Sequence, residues 1–267
     1  MCIQGPVGRG SHNDIIDVMV VQNLLNMNLG RYAGVQPPAQ LQPDGRIGLK
    51  TIDAIQQFET RIMGLPESDG IIVPGDATLK ALIAGLPPGY VEEKLAIVMP
   101  QATASRIDLY YQPLLTAMPK YGITSELQIA HFLAQLAHES GSFLYPEELA
   151  SGEAYEGRND LGNKQPGDGR RFKGRGLIQL TGRANYTRYS QASGQDFLAH
   201  PERIANEPLL AVDVACWFWA DKRIGAMADR DDVKAVTKAI NGQADGPNTH
   251  LKARLEFLFR AKALIGI

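Results

Sequence analysis

Three glutamates and an amide–hydroxyl pair are the residues of this chain best placed to do chemistry. Glu139 lies in the run AHFLAQLAHESGSF (130–143), and Glu147 and Glu148 follow Pro146. Two carboxyls that approach one bond from opposite sides can act as general acid and general base. A spacing of about 6.5–9.5 Å leaves room for an attacking water, the geometry of an inverting glycosidase. A continuous helix would set Glu148 about 13 Å along the axis from Glu139. Gly141 and Pro146 oppose that continuation, so the chain can fold back and bring the acids closer. Gln179 and Thr181 lie in the second stretch, RFKGRGLIQLTGRANY (171–186). An amide and a hydroxyl two residues apart on an extended chain share a face and can hold a sugar hydroxyl or a water.

These groups need elements to position them. Ser125 and Gln128 match a capping box, so a helix is expected to start there. Leu127, Ile129, Phe132, Leu133 and Leu136 form its apolar face. Gln128, His131, Gln135, His138 and Glu139 form a stripe with no Lys or Arg, read as lining a cleft. Gly141 ends the helix and leaves Glu139 in the last turn. There the negative end of the helix dipole disfavours the charged form, which suits a general acid. Phe172–Thr181 is predicted to be a strand, with Gly174 and Gly176 allowing close approach to the backbone. A plainer reading stays open for each element: an exposed C-terminal glutamate, and a hairpin strand with two solvated polar residues.

Taken in order, AHFLAQLAHES, a Glu nine residues on, GRGLIQLTGRANY and AINGQADG resemble glycoside hydrolase family 19, the family of plant-type chitinases and many phage endolysins. The resemblance runs from about Tyr121 to Ala263. It implies a mainly α, lysozyme-like catalytic domain with a minor α+β hairpin. It implies that Glu139 is the general acid, Glu148 the general base, and Thr181 a holder of the attacking water. It further implies sugar contacts at Gln179 and Asn185, with Asn241 and Arg254 matching other cleft positions. His138, beside the acid, and Tyr186 complete the expected substrate-binding set. The segment Ser151–Gly169 is shorter than in plant chitinases and resembles the endolysin branch, so Glu156 is kept as the alternative base.

The first part of the chain reads as a small three-helix module. Helices are expected over Asp14–Met27, from a cap at Thr51 through Phe58, and after a cap at Asp76. Asp44-Gly45 and Asp69-Gly70 mark tight turns. Val21-Gln22 with Leu24-Leu25, Asp44–Phe58 and Asp69–Thr78 resemble a peptidoglycan-binding domain, with Glu59 replacing the second Gln of its usual Phe-Gln pair. Turn chemistry alone explains most of these residues individually. GLPPGY (85–90) reads as a linker, giving domains at 1–86 and 91–267 with the linker at 87–90.

In the second part, helices are expected over 91–98, 107–118 and 184–191. Further caps are expected at Asn206, ahead of Pro208, and at Asp231. The body LLAVDVACWFWA is apolar nearly all round and is read as the central buried helix. Trp217, Phe218 and Trp219 are therefore assigned to the core rather than to a sugar platform.

Composition excludes several classes. Net charge is −2, with six Lys/Arg against eight Asp/Glu before Val91 and 21 against 21 from there on, so nucleic-acid binding is not expected. No apolar run is long enough for stable membrane insertion. The five histidines are scattered, His138-Glu139 is not followed by the second His of a zinc-protease motif, and no metal or cofactor is expected. Cys2 and Cys216 are read as free thiols. Arg170, Arg171, Lys173 and Arg175 form a basic cluster, read as a solvated rim. The first residues, MCIQGPVGRGSHND, lack a basic stretch followed by an apolar one and do not read as a secretory signal. The expectation is a monomer made in the cytoplasm that acts on the wall or periplasm. It would reach them through holin-dependent release, or through a secretion machine with a partner immunity protein. The combined reading is a hydrolase that cuts β-1,4 bonds of peptidoglycan. A chitinase, a secreted wall-degrading effector and a non-enzymatic wall-binding protein remain alternatives.

Overall fold

The computed structural model describes residues 2–89, 91–244 and 246–265. The chain divides into two compact units, Met1–Thr103 with Leu258–Ile267, and Ala104–Phe257.

In the first unit, α1 (Ile15–Met27) is started by Asp14, whose carboxylate accepts from the Ile16 N–H. It packs against α2 (Leu49–Gln57), α3 (Ala77–Ala84) and α4 (Glu92–Val98). β1 (Val7–Gly8) pairs antiparallel with β2 (Ile71–Ile72). Val18, Val21, Leu24, Ile55, Phe58, Ile72 and Leu82 fill the core; each such side chain contributes about 1.5–3 kcal/mol on burial.

Two polar side chains tie the tight turns to this core. The buried Gln22 accepts from the Gly45 N–H at 3.1 Å and donates to Asp44 Oδ1 at 3.1 Å. The buried Glu59 accepts from the Ser68 hydroxyl and, at 2.8 Å, from Thr78 Oγ1. Asp76 caps α3 as expected, accepting from the Leu79 N–H. The cap expected at Thr51 is at Gly48 instead. Thr51 is buried in the first turn, where its hydroxyl oxygen accepts from Gln22.

Contacts carry the first unit past the stretch read as a linker. Tyr90 lies outside the described residues, and α4 belongs with α1. The nearly buried Lys94 donates to the carbonyls of Gly89 and Leu264, at 2.8 and 2.6 Å.

The second unit is helical: α5 (Ala104–Lys120), α6 (Glu126–Glu139), α7 (Asp168–Arg171), α8 (Arg183–Ser193), α9 (Arg203–Asn206), α10 (Pro208–Asp221), α11 (Gly225–Ala228), α12 (Val233–Asn241) and the start of α13 (Leu251–Ile265). α10 is the central helix, packed on α5 and α9. Its Trp217 joins a core with Phe172, Tyr186, Tyr189, Phe197 and Val214. Trp219 is also buried, while Phe218 is half-buried. The Asp213 carboxylate fastens neighbouring helices to α10, accepting from the Tyr121 and Tyr189 hydroxyls at 2.9 Å each. Cys216 is a buried free thiol in this unit, and Cys2 is one in the first.

Local expectations fail here in three places. α10 starts from Glu207 rather than Asn206, and α12 is capped by Asp232 rather than Asp231. Asp231 instead turns its carboxylate to His131, 2.8 Å from Nε2. Phe172–Thr181 is not a strand. Arg175 and Leu180 exchange backbone hydrogen bonds across a tight turn, and Gln179 has a left-handed φ of 56°. That turn removes the alternation that put Gln179 and Thr181 on one extended face.

Candidate active site

Ser125 caps α6, its hydroxyl oxygen accepting from the Gln128 N–H at 3.1 Å. At the other end, Ser140 turns its hydroxyl back to the Leu136 carbonyl and accepts from the Phe143 N–H. Gly141, Ser142 and Phe143 then take left-handed φ values of 59°, 59° and 65°. For the two non-glycine residues this costs roughly 1–2 kcal/mol each. This left-handed turn reverses the chain beyond Glu139. The return is fixed by Glu148, whose N–H donates to the Gly174 carbonyl at 2.9 Å, and by a single antiparallel bridge between Glu147 and Arg175.

The two candidate acids sit in different settings. Glu139, at the end of α6 with its side chain 18% exposed, accepts from Arg254 Nη2 at 2.5 Å. The Arg254 side chain is only 1% exposed. Its other nitrogens donate to the Gln135 side-chain oxygen and, at 2.8 Å, to the Thr249 carbonyl. Glu148 has no guanidinium partner among the described residues. Its Oε1 accepts from the Tyr155 hydroxyl at 2.9 Å and its Oε2 from the Gly174 N–H at 3.1 Å. Burial, followed by the proton-accepting carboxylate of Glu148, raises the Tyr155 hydroxyl above its usual range, so it remains a donor.

Gly174 is a close-packing point. A Cβ there would stand 2.8 Å from Gln179 Oε1 and 3.3 Å from Glu148 Oε2. The missing side chain lets the amide and the carboxylate converge. Gln179 is held by its own amide, which donates to the carbonyls of Tyr145 at 2.9 Å and Gly176 at 3.1 Å. Thr181 Oγ1 donates to the Gln179 carbonyl, and Asn185 Nδ2 to the Thr181 carbonyl, both at 2.8 Å. Gln179, Thr181, Asn185 and Asn241 share the lining of a groove of about 320 Å³, together with Phe218 and Lys222. The structure therefore gathers four of the expected residues along one wall.

Other expected residues do different work. Arg254 is buried behind Glu139 rather than lining the open groove. Tyr186 is wholly buried, so it does not present a surface to substrate. Its hydroxyl donates to the Lys173 carbonyl and accepts from Arg175, and burial pushes it up to about 12. The expected polar stripe of α6 is half covered, because His131 and Gln135 are buried. His138 is desolvated, with Arg254 and His250 nearby, and is pushed down to about 4. Its ring meets His250 edge to face, 5.3 Å between centroids. Glu156 is occupied as a loop fastener, its two oxygens accepting from the Gly167 and Gly169 N–H groups at 2.7 and 2.8 Å. The basic cluster is also committed. Arg170 pairs with Glu153 and Arg175 with Glu147, while Arg171 donates to the Leu198 carbonyl.

Sequence reasoning missed Tyr155, Phe218 and Lys222. Tyr155 sits in a short 3-10 turn with no periodic signal, Phe218 reads as core with its neighbours in α10, and Lys222 lies one residue past that helix, outside the apolar run. Among the described residues, no group of His, Cys, Asp and Glu could hold a metal ion.

Comparison with known proteins agrees with this architecture. A family model described as chitinase class I matches residues 118–247. A glycosyl hydrolase family 19 domain-containing protein of Haemophilus influenzae is 31% identical over 173 residues, covering 53% of this chain and 84% of that protein. An endochitinase of Arabidopsis thaliana is 37% identical over 121 residues, covering 45% of this chain and 41% of the endochitinase. The chain thus spans less than half the length of that plant relative. The crystal structure of chitinase C from Streptomyces griseus shares the fold, with a TM-score of 0.56 at 21% identity over 74% of this chain and 82% of that one.

Proposed function

The chain belongs to glycoside hydrolase family 19, and from that premise we propose that it cuts β-1,4 glycosidic bonds of peptidoglycan with inversion at the anomeric carbon. Glu139 gives its proton to the leaving oxygen as the C–O bond breaks. Glu148 takes a proton from a water whose oxygen bonds to the anomeric carbon from the other face. Thr181 and Gln179 help position that water and the sugar beside it, with Asn185 and Asn241 along the groove. Arg254 aligns the Glu139 carboxyl, and Tyr155 aligns that of Glu148.

The observation that carries this reading is that each of the two acids is held in place by its own set of donors. Glu139 is anchored by a buried guanidinium 115 residues away in sequence, and Glu148 by two neutral donors, the Tyr155 hydroxyl and the Gly174 N–H. Carboxyls held in fixed positions suit general acid–base catalysis, and the division of roles between them follows the family resemblance. Preference for peptidoglycan over chitin is supported by the first unit, whose two Asp-Gly turns, locked by Gln22 and Glu59, resemble a wall-binding module. A family chitinase acting on neutral chitin is the second reading, favoured by the plant and Streptomyces relatives.

Mass spectrometry of products from peptidoglycan and, separately, from chitin oligosaccharides tests the proposal. Muropeptides ending in reducing N-acetylmuramic acid are expected. Chitin fragments with intact peptidoglycan would move the assignment to chitinase. Glu139→Gln should lower turnover by at least about 10²-fold while leaving the fold intact; near-normal lysis by that variant would remove Glu139 from the acid role.

A further inference from the structure

The groove beside Gln179 and Thr181 has one feature that a neutral glycan does not need. Lys222, just past the end of α10, lines it together with amides, a hydroxyl and apolar side chains, and none of its lining residues is an acid. Lys222 is exposed and has no carboxylate partner among the described residues. Its ammonium lies 5.8 Å from the centroid of the Phe218 ring, which also lines the groove. Two cations that meet α10 are paired instead to its carboxylates, Arg188 to Asp221 and Lys120 to Asp213. Lys222 therefore presents an unspent positive charge to whatever fills the groove, steadied by an aromatic face.

We propose that Lys222 reads a carboxylate carried by the bound glycan and so favours muramyl strands over chitin. This deepens the peptidoglycan reading and rests on it. Chitin carries no anion along its chain, whereas muramyl sugars bear carboxylates, either on the lactyl group of a denuded strand or on the attached stem peptide. An ammonium held near one such group favours the charged ligand, and because the site is exposed the preference falls as salt rises.

The test compares wild type, Lys222→Met and Lys222→Arg on three substrates: denuded glycan strands, peptide-bearing strands and chitin oligosaccharides. Lys222→Met is expected to lower the muramyl-to-chitin ratio of kcat/KM roughly tenfold, the size of one partly screened charge contact, and Lys222→Arg to restore it. Loss confined to denuded strands would identify the lactyl carboxylate, and loss confined to peptide-bearing strands the stem. The wild-type ratio should also fall with added salt. If wild type cleaves muramyl strands and Lys222→Met leaves the ratio unchanged, this proposal is overturned and the peptidoglycan reading stands. If wild type cleaves no muramyl substrate, both are overturned together.

Discussion

Arg254 Nη2 donates to Glu139 Oε1 at 2.5 Å, from a guanidinium that is 1% exposed. The contact joins α13 to the last turn of α6, 115 residues apart in sequence. A buried cation committed at three nitrogens is a rigid abutment, and the carboxyl it holds loses rotamer freedom, which in the proposed mechanism fixes the direction of proton delivery. Arg254→Met should therefore lower kcat more than it raises KM. It also strands the Gln135 oxygen and the Thr249 carbonyl, costing roughly 3–5 kcal/mol. Arg254→Lys keeps the charge but cannot fork, and should recover stability better than kcat. Thermal melts beside steady-state kinetics separate the two effects.

His138 provides the pH test. Its folded value is held down to about 4 by burial, then by Arg254 and His250. A free histidine takes up a proton near 6.5. Above that value neither folded nor unfolded chain holds the proton, and the full stability is present. As pH falls from about 6.5 to about 4, the unfolded chain gains a proton that the folded chain refuses, so stability drops, by an amount on the order of 2–3 kcal/mol. Below about 4 this contribution levels off. Denaturant midpoints between pH 7.5 and 4.5 should fall more steeply for wild type than for His138→Gln; equal slopes would remove His138 as the source.

At Gly174, an added methyl would press on Gln179 Oε1 and Glu148 Oε2. Gly174→Ala should reduce kcat by about tenfold or more, since small displacements of reacting groups are costly. Far-ultraviolet circular dichroism should remain that of wild type. Unchanged kcat would show that the carboxylate and amide tolerate displacement.

Tyr155→Phe removes the hydroxyl that donates to Glu148 Oε1 at 2.9 Å. A hydrogen bond to a charged group contributes about 1.5–3 kcal/mol. A fall in kcat of about tenfold is expected, with little change in KM, because the hydroxyl acts on the carboxylate rather than on sugar. A change confined to KM would place Tyr155 against the substrate instead.

In the first unit, Gln22→Ala leaves the Gly45 N–H and the Thr51 hydroxyl without their buried partner. A loss of about 1–3 kcal/mol is expected. Co-sedimentation with peptidoglycan should weaken in parallel if the Asp44-Gly45 turn forms part of the wall contact, and unchanged co-sedimentation would leave the turn with a folding role alone.

Sequence by itself determined the elements whose signals are local. Ser125 and Gln128 mark the start of α6 because a cap and its helix lie within three residues. The apolar periodicity of α10 marks a buried helix, and the order of the family motifs marks a glycoside hydrolase. The same motifs single out Glu139, Glu148, Gln179, Thr181, Asn185 and Asn241 as candidate site residues. Tertiary structure decided what each of them meets. Arg254 read as one more cleft residue, yet it is buried behind the acid. Tyr186 read as a sugar contact, yet it is wholly interior. Gln179 read as a strand residue, yet it sits in a left-handed turn. Periodicity reports which residues share a face of one element. Partnership with a carboxyl depends on where a chain segment more than a hundred residues away comes to rest, and that is set by packing of the whole unit rather than by local pattern.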